Sequence, residues 1–178
     1  MNSKFSKEEM LNFSFIKSPL NLIGIAGSSK GLIRLKLGLK SPSSFIDYLD
    51  THYSGSWYEN ASVFKDIRAQ LLAYFKGNII KFDFKIDHRI GTPFQKKVWA
   101  TIRKIPFGQT RSYTWLATAI GKPKACRAVG NANGKNPISI LSPCHRVIRQ
   151  SGALGGYTGG LYIKKFLLDL EQKPNGTI

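Results

Sequence analysis

The residue pair best suited to chemistry is Cys144 and His145, which adjoin within residues 143–147, Pro-Cys-His-Arg-Val. A thiolate is the reactive form of cysteine, and its pKa falls when positive charge or a helix N-terminus lies close by. Residues 88–168 contain neither Asp nor Glu, so no carboxylate near in sequence opposes ionisation of this thiol. The pattern favours a nucleophilic Cys144, although a cysteine considered alone is more often inert packing.

A carboxylate that could orient His145 follows at Glu171. The predicted helix around it has one apolar stripe, formed by Ile163, Phe166, Leu167 and Leu170. Because Glu171 lies four residues after Leu167, it projects from the buried edge of that helix, where an unpaired carboxylate is costly. Pairing with His145 would complete the order Glu, His, Cys that activates a thiol. The alternative is a glutamate at a helix end that contacts solvent or a lysine.

The second cysteine, Cys126, has no histidine near it in sequence, and we interpret it as a structural residue inside a helix. Two cysteines cannot form a disulfide framework, and their spacing to His52, His88 and His145 matches no zinc pattern. We expect reduced thiols and no structural metal.

The net charge of +17 is unevenly distributed along the 178 residues. Residues 1–90 hold 13 Lys and Arg against 8 Asp and Glu, a balance of +5, whereas residues 91–178 hold 14 against 2, a balance of +12. Such a field attracts polyanions and supplies the phosphate term of nucleic-acid binding. The alternatives are a solvated basic surface and an acidic membrane surface. No basic amphipathic helix with exposed Trp or Phe supports the membrane alternative.

Length and composition fit one large domain or two small ones, since 42% of the residues are apolar. No run reaches the roughly 18 apolar residues that span a bilayer, and Glu8 and Glu9 occupy the place of a signal peptide's apolar core. We therefore expect a cytoplasmic protein, nuclear in a eukaryote, that does not bind membranes.

The first half reads as a small α+β unit. Residues 79–87 alternate charged residues with apolar Ile80, Phe82, Phe84 and Ile86, which predicts a strand with one buried face. Leu20–Ala26 and Leu32–Leu37 flank a glycine-bounded turn and predict a hairpin. Residues 62–76 predict an amphipathic helix that ends at Gly77, with apolar side chains at Val63, Ile67, Leu71 and Phe75.

The second half reads as helices and loops. Thr92 begins a capping box, with Pro93 at the first helical position. Ser112 caps a short helix to Ile120, Gly121 breaks it, and Pro123 opens another helix that runs to about Asn133. Two short helices joined by a glycine turn favour a DNA-binding helix-turn-helix, and an ordinary helical hairpin is the alternative.

The second of these helices has two different predicted faces. The inner face is small and flat and consists of Ala125, Ala128, Val129 and Ala132, whereas the outer face carries Lys124, Arg127 and Asn131. Residues 152–160 hold five glycines in nine but lack the Gly-Lys-Ser/Thr of a phosphate loop. We interpret them as a loop whose backbone amides approach a ligand closely.

Together these residues resemble the O6-alkylguanine-DNA alkyltransferase family, the methylated-DNA–protein-cysteine methyltransferases. The resemblance covers residues 91–172 without a break in register and rests on the motif at 143–147, preceded by Asn136-Pro137 and followed by Gly155-Gly156-Tyr157 and Leu167-Leu168-Asp169-Leu170-Glu171. It also includes Gly91-Thr92-Pro93-Phe94-Gln95, Val98-Trp99, Ile105-Pro106, Ser112-Tyr113 and Arg127-Ala128-Val129-Gly130.

The resemblance implies an α+β protein of two domains. Residues 1–88 would form an N-terminal RNase H-like α/β domain, and residues 89–178 a mostly helical C-terminal domain with a winged helix-turn-helix. It further implies that Cys144 accepts the alkyl group from O6 of guanine in duplex DNA and keeps it, so that each molecule acts once. O4-alkylthymine is a second substrate that the resemblance leaves open. Because O6 lies inside the duplex, the base must leave the stack before transfer.

Individual roles are likewise implied by the resemblance. Arg127 would fill the vacated space in the duplex, and Tyr113 would assist rotation of the nucleotide. Asn136 would brace the segment before the nucleophile, and Val147 would read the guanine amine through its backbone. His145 would act on Cys144 through a water, with Glu171 orienting it. Substrate and DNA contacts are also implied for Gly155, Tyr157 and Thr158, the last through its amide.

Two departures from the family pattern bear on specificity. Many members have proline where this chain has Ser139, which leaves acceptance of bulky alkyl groups open. Some members hold zinc near the N-terminus, but this chain has no cysteine before Cys126, so we expect that site to be absent. Partners implied are duplex DNA containing O6-alkylguanine and no obligate protein partner, with clustering of molecules on DNA left open. The rival functions are an alkyltransferase-like damage-recognition protein, a winged-helix regulator without transfer, and a cysteine hydrolase.

Overall fold

The computed structural model describes residues 5–78, 81–87 and 89–172. The chain divides into two compact units, Met1–Ile90 and Gly91–Ile178. Within the described ranges, no helix has the length and apolar character needed to cross a membrane.

The first unit is built on a four-stranded sheet. Its strands are Met10–Ser18 (β1), Asn21–Ser28 (β2), Gly31–Leu39 (β3) and Ser56–Glu59 (β4). β1, β2 and β3 are antiparallel neighbours, and β4 lies parallel to β1 at the edge, which gives the order β3-β2-β1-β4. The predicted hairpin is confirmed, since β2 pairs with β3 and Ser28 lies opposite Gly31.

Two helices accompany this sheet, Pro42–His52 (α1) and Lys65–Phe75 (α2). α1 is part of a buried apolar cluster that consists of Phe13, Ala26, Leu39, Phe45 and Leu49. The helix predicted over 62–76 is present as one 3-10 turn, Ser62–Phe64, followed by α2. Gly77 then takes a φ of 80°, a conformation that glycine adopts at no steric cost, and the helix ends there as predicted.

The strand predicted over 79–87 is wrong for residues 81–87, while 79 and 80 lie outside the described residues. Only an isolated bridge forms there, between Ile86 and Leu32. The Gln70 side chain occupies the place of a strand partner, because its amide donates to the Asp83 carbonyl at 3.1 Å and accepts from the Asp83 amide at 2.8 Å. Asp87, predicted on the polar face, is instead buried and bound by Ser28 and Arg89.

The second unit is mainly helical. Its elements are Pro93–Ile102 (α3), Arg111–Ser112 (β5), Tyr113–Ala119 (α4), Cys126–Gly134 (α5), Val147–Ile148 (β6) and Leu161–Gln172 (α6). Both predicted N-caps are confirmed. The Thr92 hydroxyl accepts from the Gln95 amide at 3.2 Å, and the Ser112 hydroxyl accepts from the Trp115 amide at 3.0 Å. β5 and β6 form a short parallel ladder that joins the start of α4 to the segment after Cys144.

Helix α5 differs from its prediction in two details. It begins at Cys126 rather than at Pro123, because the Ala125 amide closes a turn onto the Lys122 carbonyl before the helix starts. Ala128 is exposed, not part of the inner face, since it lies four residues after Lys124 and therefore shares its side of the helix. Lys124, Arg127 and Asn131 are exposed as predicted. α5 packs against both α3 and α4 through its other face.

Candidate active site

Two tight turns fix the backbone before Cys144. At Ile140 the φ is 67°, and the Leu141 amide donates to the Ser139 carbonyl at 2.8 Å, which is the strained form of a γ-turn. At Pro143, φ is −79° and ψ is 68°, and the Cys144 amide donates to the Ser142 carbonyl at 2.8 Å, which is the common inverse γ-turn. Cys144 then opens a single 3-10 turn that ends at Arg146. The nucleophile segment is therefore set by its own backbone.

Two asparagines from the end of α5 and the residues after it hold this segment in place. Asn136 is buried, and its amide nitrogen donates to the Ser142 carbonyl at 2.7 Å and to the Cys144 sulfur at 3.2 Å. Asn133 is also buried and donates to the Cys144 carbonyl at 3.2 Å. The family resemblance implied that Asn136 braces this segment, and the structure adds its direct contact with the sulfur. Asn133 was missed, because an asparagine within a helical stripe has no distinctive spacing.

The structure brings Glu171 of α6 to His145, as the apolar stripe predicted. His145 Nε2 lies 2.8 Å from Glu171 Oε1, and both side chains are buried. Arg146, which the sequence offered only as local positive charge, also binds this carboxylate: Nε donates to Oε2 at 2.8 Å and a terminal nitrogen donates to Oε1 at 2.9 Å. The Gly108 amide donates to Oε2 at 3.2 Å. Glu171 is thus enclosed by donors, and its side chain is only 1% exposed.

These contacts determine the charge of each group. Burial opposes ionisation of Glu171, but hydrogen bonds from His145 and Arg146 outweigh it and hold the pKa at about 2. Burial lowers the pKa of His145 and, contrary to what the acid-free sequence suggested, raises the pKa of the Cys144 thiol. Burial disfavours the charged form of a titratable group, and the extent of burial cannot be read from sequence composition. The resting site therefore combines a carboxylate with a neutral imidazole and a neutral thiol.

The free nitrogen of His145 is the basic one. Since Glu171 is ionised, Nε2 carries the proton and donates to it, which leaves a lone pair on Nδ1. Nδ1 is buried and has no hydrogen-bond partner among the residues that the structure describes. A neutral imidazole whose other nitrogen is held by a carboxylate can accept a proton at this position.

Lys164 is a further buried cation that the sequence analysis missed. Its side chain is fully buried in α6, and Nζ donates to the Val147 carbonyl at 2.7 Å and to the Leu154 carbonyl. Burial lowers its pKa to about 8, while the charge of a Cys144 thiolate would oppose that change. The signal was present, because Lys164 lies three residues before Leu167 and seven before Glu171 on the buried stripe.

Tyr113 is placed by the short ladder and by two glycines. β5 ends at Ser112, so Tyr113 opens α4 beside the nucleophile segment. A Cβ on Gly155, which has a φ of 70°, would lie 3.1 Å from the tyrosine ring, and one on Gly130 would lie 3.8 Å away. Gly155 thus gives the ring room and adopts a backbone conformation that other residues rarely take. Burial raises the pKa of Tyr113, and the charge of a Cys144 thiolate would add to that effect.

The remaining predicted residues lie around this centre. Arg127 is exposed at the second position of α5 and forms no hydrogen bond or ion pair with any residue described here. Val147 is buried, and Tyr157 is half-buried with an enclosed hydroxyl. Thr158 is exposed; its hydroxyl donates to the Gly134 carbonyl at 2.6 Å, while its amide has no partner in the described part of the chain. Across those same ranges, no three His, Cys, Asp or Glu side chains are grouped so as to bind a metal ion.

Both units match known protein families. Residues 11–88 match the ribonuclease-like domain of 6-O-methylguanine DNA methyltransferase, and residues 93–173 match its DNA binding domain. A methylated-DNA–protein-cysteine methyltransferase of Methanosarcina barkeri is 46% identical over 160 residues, which are 90% of this chain and 96% of the relative. The corresponding protein of Mycolicibacterium paratuberculosis is 43% identical over 167 residues, 92% of this chain and 94% of its own.

A solved structure agrees with these matches. The Mycobacterium tuberculosis OGT protein, crystallised in complex with DNA, superposes with a TM-score of 0.76 at 42% identity, covering 90% of this chain and 92% of that one. A ribonuclease-like domain followed by a DNA-binding domain, with a buried cysteine in the second, defines a cysteine-dependent methyltransferase. The chain belongs to the methylated-DNA–protein-cysteine methyltransferase family.

Proposed function

We propose that this protein repairs DNA by moving the alkyl group of O6-alkylguanine in duplex DNA directly to Cys144, irreversibly and once per molecule. The observation that carries the proposal is the buried arrangement of Cys144, His145 and Glu171 in a chain of this family. The sulfur attacks the alkyl carbon in line with the carbon–O6 bond. A sulfur–carbon bond forms while the carbon–oxygen bond breaks and its electron pair stays on guanine.

The proton of the thiol has a route through the site. His145 Nδ1 is buried and unpaired among the described residues, so it can receive this proton, through one water if the two groups do not meet directly. The Glu171 carboxylate then stabilises the imidazolium through Nε2 at 2.8 Å. The departing guanine takes up one proton and the imidazolium gives one up, so that the thiol proton is accounted for. The thioether that remains is chemically stable, and no cofactor or metal takes part.

Base recognition is assigned to residues around the sulfur. The exposed Arg127 on α5 would enter the duplex and fill the space of the extruded base. Tyr113 would assist rotation of the nucleotide, and Gly155 leaves room for its ring. Asn136 braces the nucleophile through the Ser142 carbonyl and the sulfur. The Val147 carbonyl would read the guanine amine, and the unpartnered Thr158 amide would face O6.

Duplex DNA is the partner that the charge distribution supports. Residues 91–178 carry a balance of +12, and these residues include the whole match to a DNA binding domain. A basic surface that binds phosphates gives affinity that falls steeply with salt. We accordingly assign residues 89–178 to DNA binding and transfer and residues 1–88 to the ribonuclease-like domain. The protein would act in the cytoplasm, or in the nucleus of a eukaryote, without an obligate protein partner.

The presence of Cys144 argues against an alkyltransferase-like recognition protein, since those proteins lack the nucleophilic cysteine, and the other rivals differ in what they do to the lesion. An alkyltransferase-like recognition protein binds the lesion without removing it, a regulator binds DNA whether or not it is alkylated, and a hydrolase turns over repeatedly.

A titration of an O6-methylguanine duplex with the protein distinguishes them. We expect the lesion to disappear in proportion to added protein and to stop at one equivalent. Persistence of the lesion would contradict the proposal, and so would removal of many equivalents. Cys144→Ser serves as the matched control.

A further inference from the structure

The Tyr157 hydroxyl is a buried donor without a partner. Its oxygen is enclosed, yet it forms no hydrogen bond of normal length and angle with the residues that the structure describes. A buried polar group in this state costs free energy, and native proteins satisfy nearly all such groups. A hydroxyl left unpaired in this way, close to a reactive cysteine, is expected to find a hydrogen-bond partner in another state of the site.

The loop that carries this tyrosine is tied to its neighbours by hydrogen bonds. The Gly160 amide donates to the Tyr157 carbonyl at 3.0 Å, and a Cβ on Gly159 would lie 3.1 Å from the ring. The neighbouring Thr158 hydroxyl donates to the Gly134 carbonyl at 2.6 Å, which ties the loop to the end of α5. These hydrogen bonds tie the backbone on both sides of Tyr157 to its neighbours, and the hydroxyl oxygen itself is enclosed.

Two polar groups lie next to this hydroxyl, the Cys144 sulfur and the Ser139 side chain. Burial raises the pKa of Cys144, whereas the Asn136 amide and the adjacent Tyr157 hydroxyl each act to lower it. Burial also raises the pKa of Tyr157 well above its ordinary value, a Cys144 thiolate raises it further, and Ser139 opposes that change. These effects favour the protonated form of the tyrosine.

We propose that Tyr157 is a catalytic residue that donates its hydroxyl hydrogen bond to the Cys144 sulfur once that sulfur has lost its proton, with Ser139 donating in turn to the Tyr157 oxygen. A neutral thiol is a weak acceptor, whereas a thiolate accepts charge-assisted hydrogen bonds strongly. The bond therefore forms only in the reactive state, in which it stabilises the charge. This inference rests on the proposed function, because it assumes that the thiolate of Cys144 is the attacking group.

This hydrogen bond would complete the set of donors around the charged sulfur. The Asn136 amide already lies 3.2 Å from the sulfur. The thiolate would therefore accept two hydrogen bonds, one from Asn136 after α5 and one from Tyr157 in the loop before α6. The other titratable groups that act on the thiol are Lys164 of α6, whose charge lowers its pKa, and Tyr113 of α4. No proton leaves Tyr157 at any step. After transfer, the sulfur is a thioether and a poor acceptor, so the hydroxyl loses its partner again.

The test compares Tyr157→Phe with the wild-type chain and with Tyr162→Phe, a matched control on an exposed tyrosine of α6. The rate at which iodoacetamide modifies Cys144, followed by peptide mass, is measured against pH in the absence of DNA. For Tyr157→Phe we expect the midpoint of thiol ionisation to rise by about one pH unit, a tenfold loss in ionisation constant. Ser139→Ala should move it in the same direction by less, and Tyr162→Phe should not move it. Superimposable profiles for wild type and Tyr157→Phe would overturn the inference.

A second variant covers the case in which Tyr157→Phe does not fold. Replacement of Tyr157 by 3-fluorotyrosine makes the phenol a stronger donor, so the thiol midpoint should fall, and a midpoint that rises or stays would contradict the proposal. The transfer rate to O6-methylguanine DNA is measured on the same samples. A wild-type protein that transfers nothing would defeat the proposed function and leave the thiol titration interpretable, whereas normal transfer with unchanged titrations would defeat only the role of Tyr157.

Discussion

Arg146 holds both oxygens of the Glu171 carboxylate, at 2.8 and 2.9 Å, while the same carboxylate receives His145 at 2.8 Å. The pair is buried, and Arg146 also donates to the Ile105 carbonyl at 2.7 Å. The Glu171 carboxylate is therefore shared between the guanidinium group of Arg146 and the imidazole of His145. Arg146 fixes the carboxylate that, in the proposed reaction, stabilises the protonated form of His145.

Glu171→Gln should strongly destabilise the protein. The substitution leaves Arg146 buried without its counter-charge, and breaking a buried pair in this way costs about 3–5 kcal/mol. Urea unfolding followed by tryptophan fluorescence measures the change. The matched control is Asp169→Asn, on the same helix, where the carboxylate is exposed and lies 4.0 Å from Lys165. Equal unfolding midpoints for both variants would show that the Arg146 pair does not support the fold.

The same pair predicts an acid-sensitive stability. The pKa of Glu171 is about 2 in the folded protein and near 4.5 when the chain is unfolded, so the unfolded state binds more protons between these values. Its stabilisation is complete above pH 4.5 and is lost as the pH falls toward 2, an effect of about 3 kcal/mol. The free energy of unfolding, measured at pH 7, 4.5 and 3, should fall more steeply for the wild type than for Glu171→Gln. Parallel curves would contradict the low pKa.

Lys164→Met should loosen the loop after Cys144. Nζ ties the Val147 carbonyl to the Leu154 carbonyl, and methionine keeps the bulk of the side chain but donates no hydrogen bond. We expect faster amide hydrogen exchange over residues 148–156 and slower transfer to DNA. Lys165→Met is the control, since that neighbouring side chain is 72% exposed. An exchange pattern that is the same in both variants would remove Lys164 from the site's support.

Arg127→Ala should slow transfer on duplex DNA by tenfold or more without changing the reactivity of the thiol. Arg127 is exposed and has no hydrogen bond or ion pair with the described residues around Cys144, so iodoacetamide should modify the variant at the normal rate. On single-stranded DNA the base is already unstacked, and the deficit should shrink. Lys124→Ala, on the same outer face, controls for the loss of one positive charge. An equal deficit on both kinds of DNA would exclude a role in base extrusion.

Features with a local cause could be predicted from the sequence. Thr92 and Ser112 cap their helices because a capping side chain needs only the amide three residues later. The apolar stripe of α6 likewise identified Glu171 as a carboxylate that must find a buried partner, and the structure supplies His145. Family resemblance added the roles of residues such as Arg127, which no local rule could assign.

Features that depend on distant groups could not be predicted. The strand expected over 79–87 satisfied the two-residue period, but the Gln70 side chain binds Asp83 in place of a neighbouring strand. The acid-free sequence around Cys144 suggested a low thiol pKa, yet burial raises it. Burial is a property of the packed chain. The place of Lys164 on the apolar stripe indicates its burial, but the partners of Lys164 and Arg146 depend on how α6 packs against the nucleophile segment.

In the proposed reaction, the alkyl group ends on the sulfur of Cys144. The protein is mixed with one equivalent of O6-methylguanine duplex, digested and examined by peptide mass spectrometry. We expect one added methyl mass on the peptide that contains Cys144, none on the peptide that contains Cys126, and no transfer by Cys144→Ala, which should still bind the duplex. Recovery of an unmodified Cys144 peptide while the lesion persists, or a methyl group on another residue, would contradict the account.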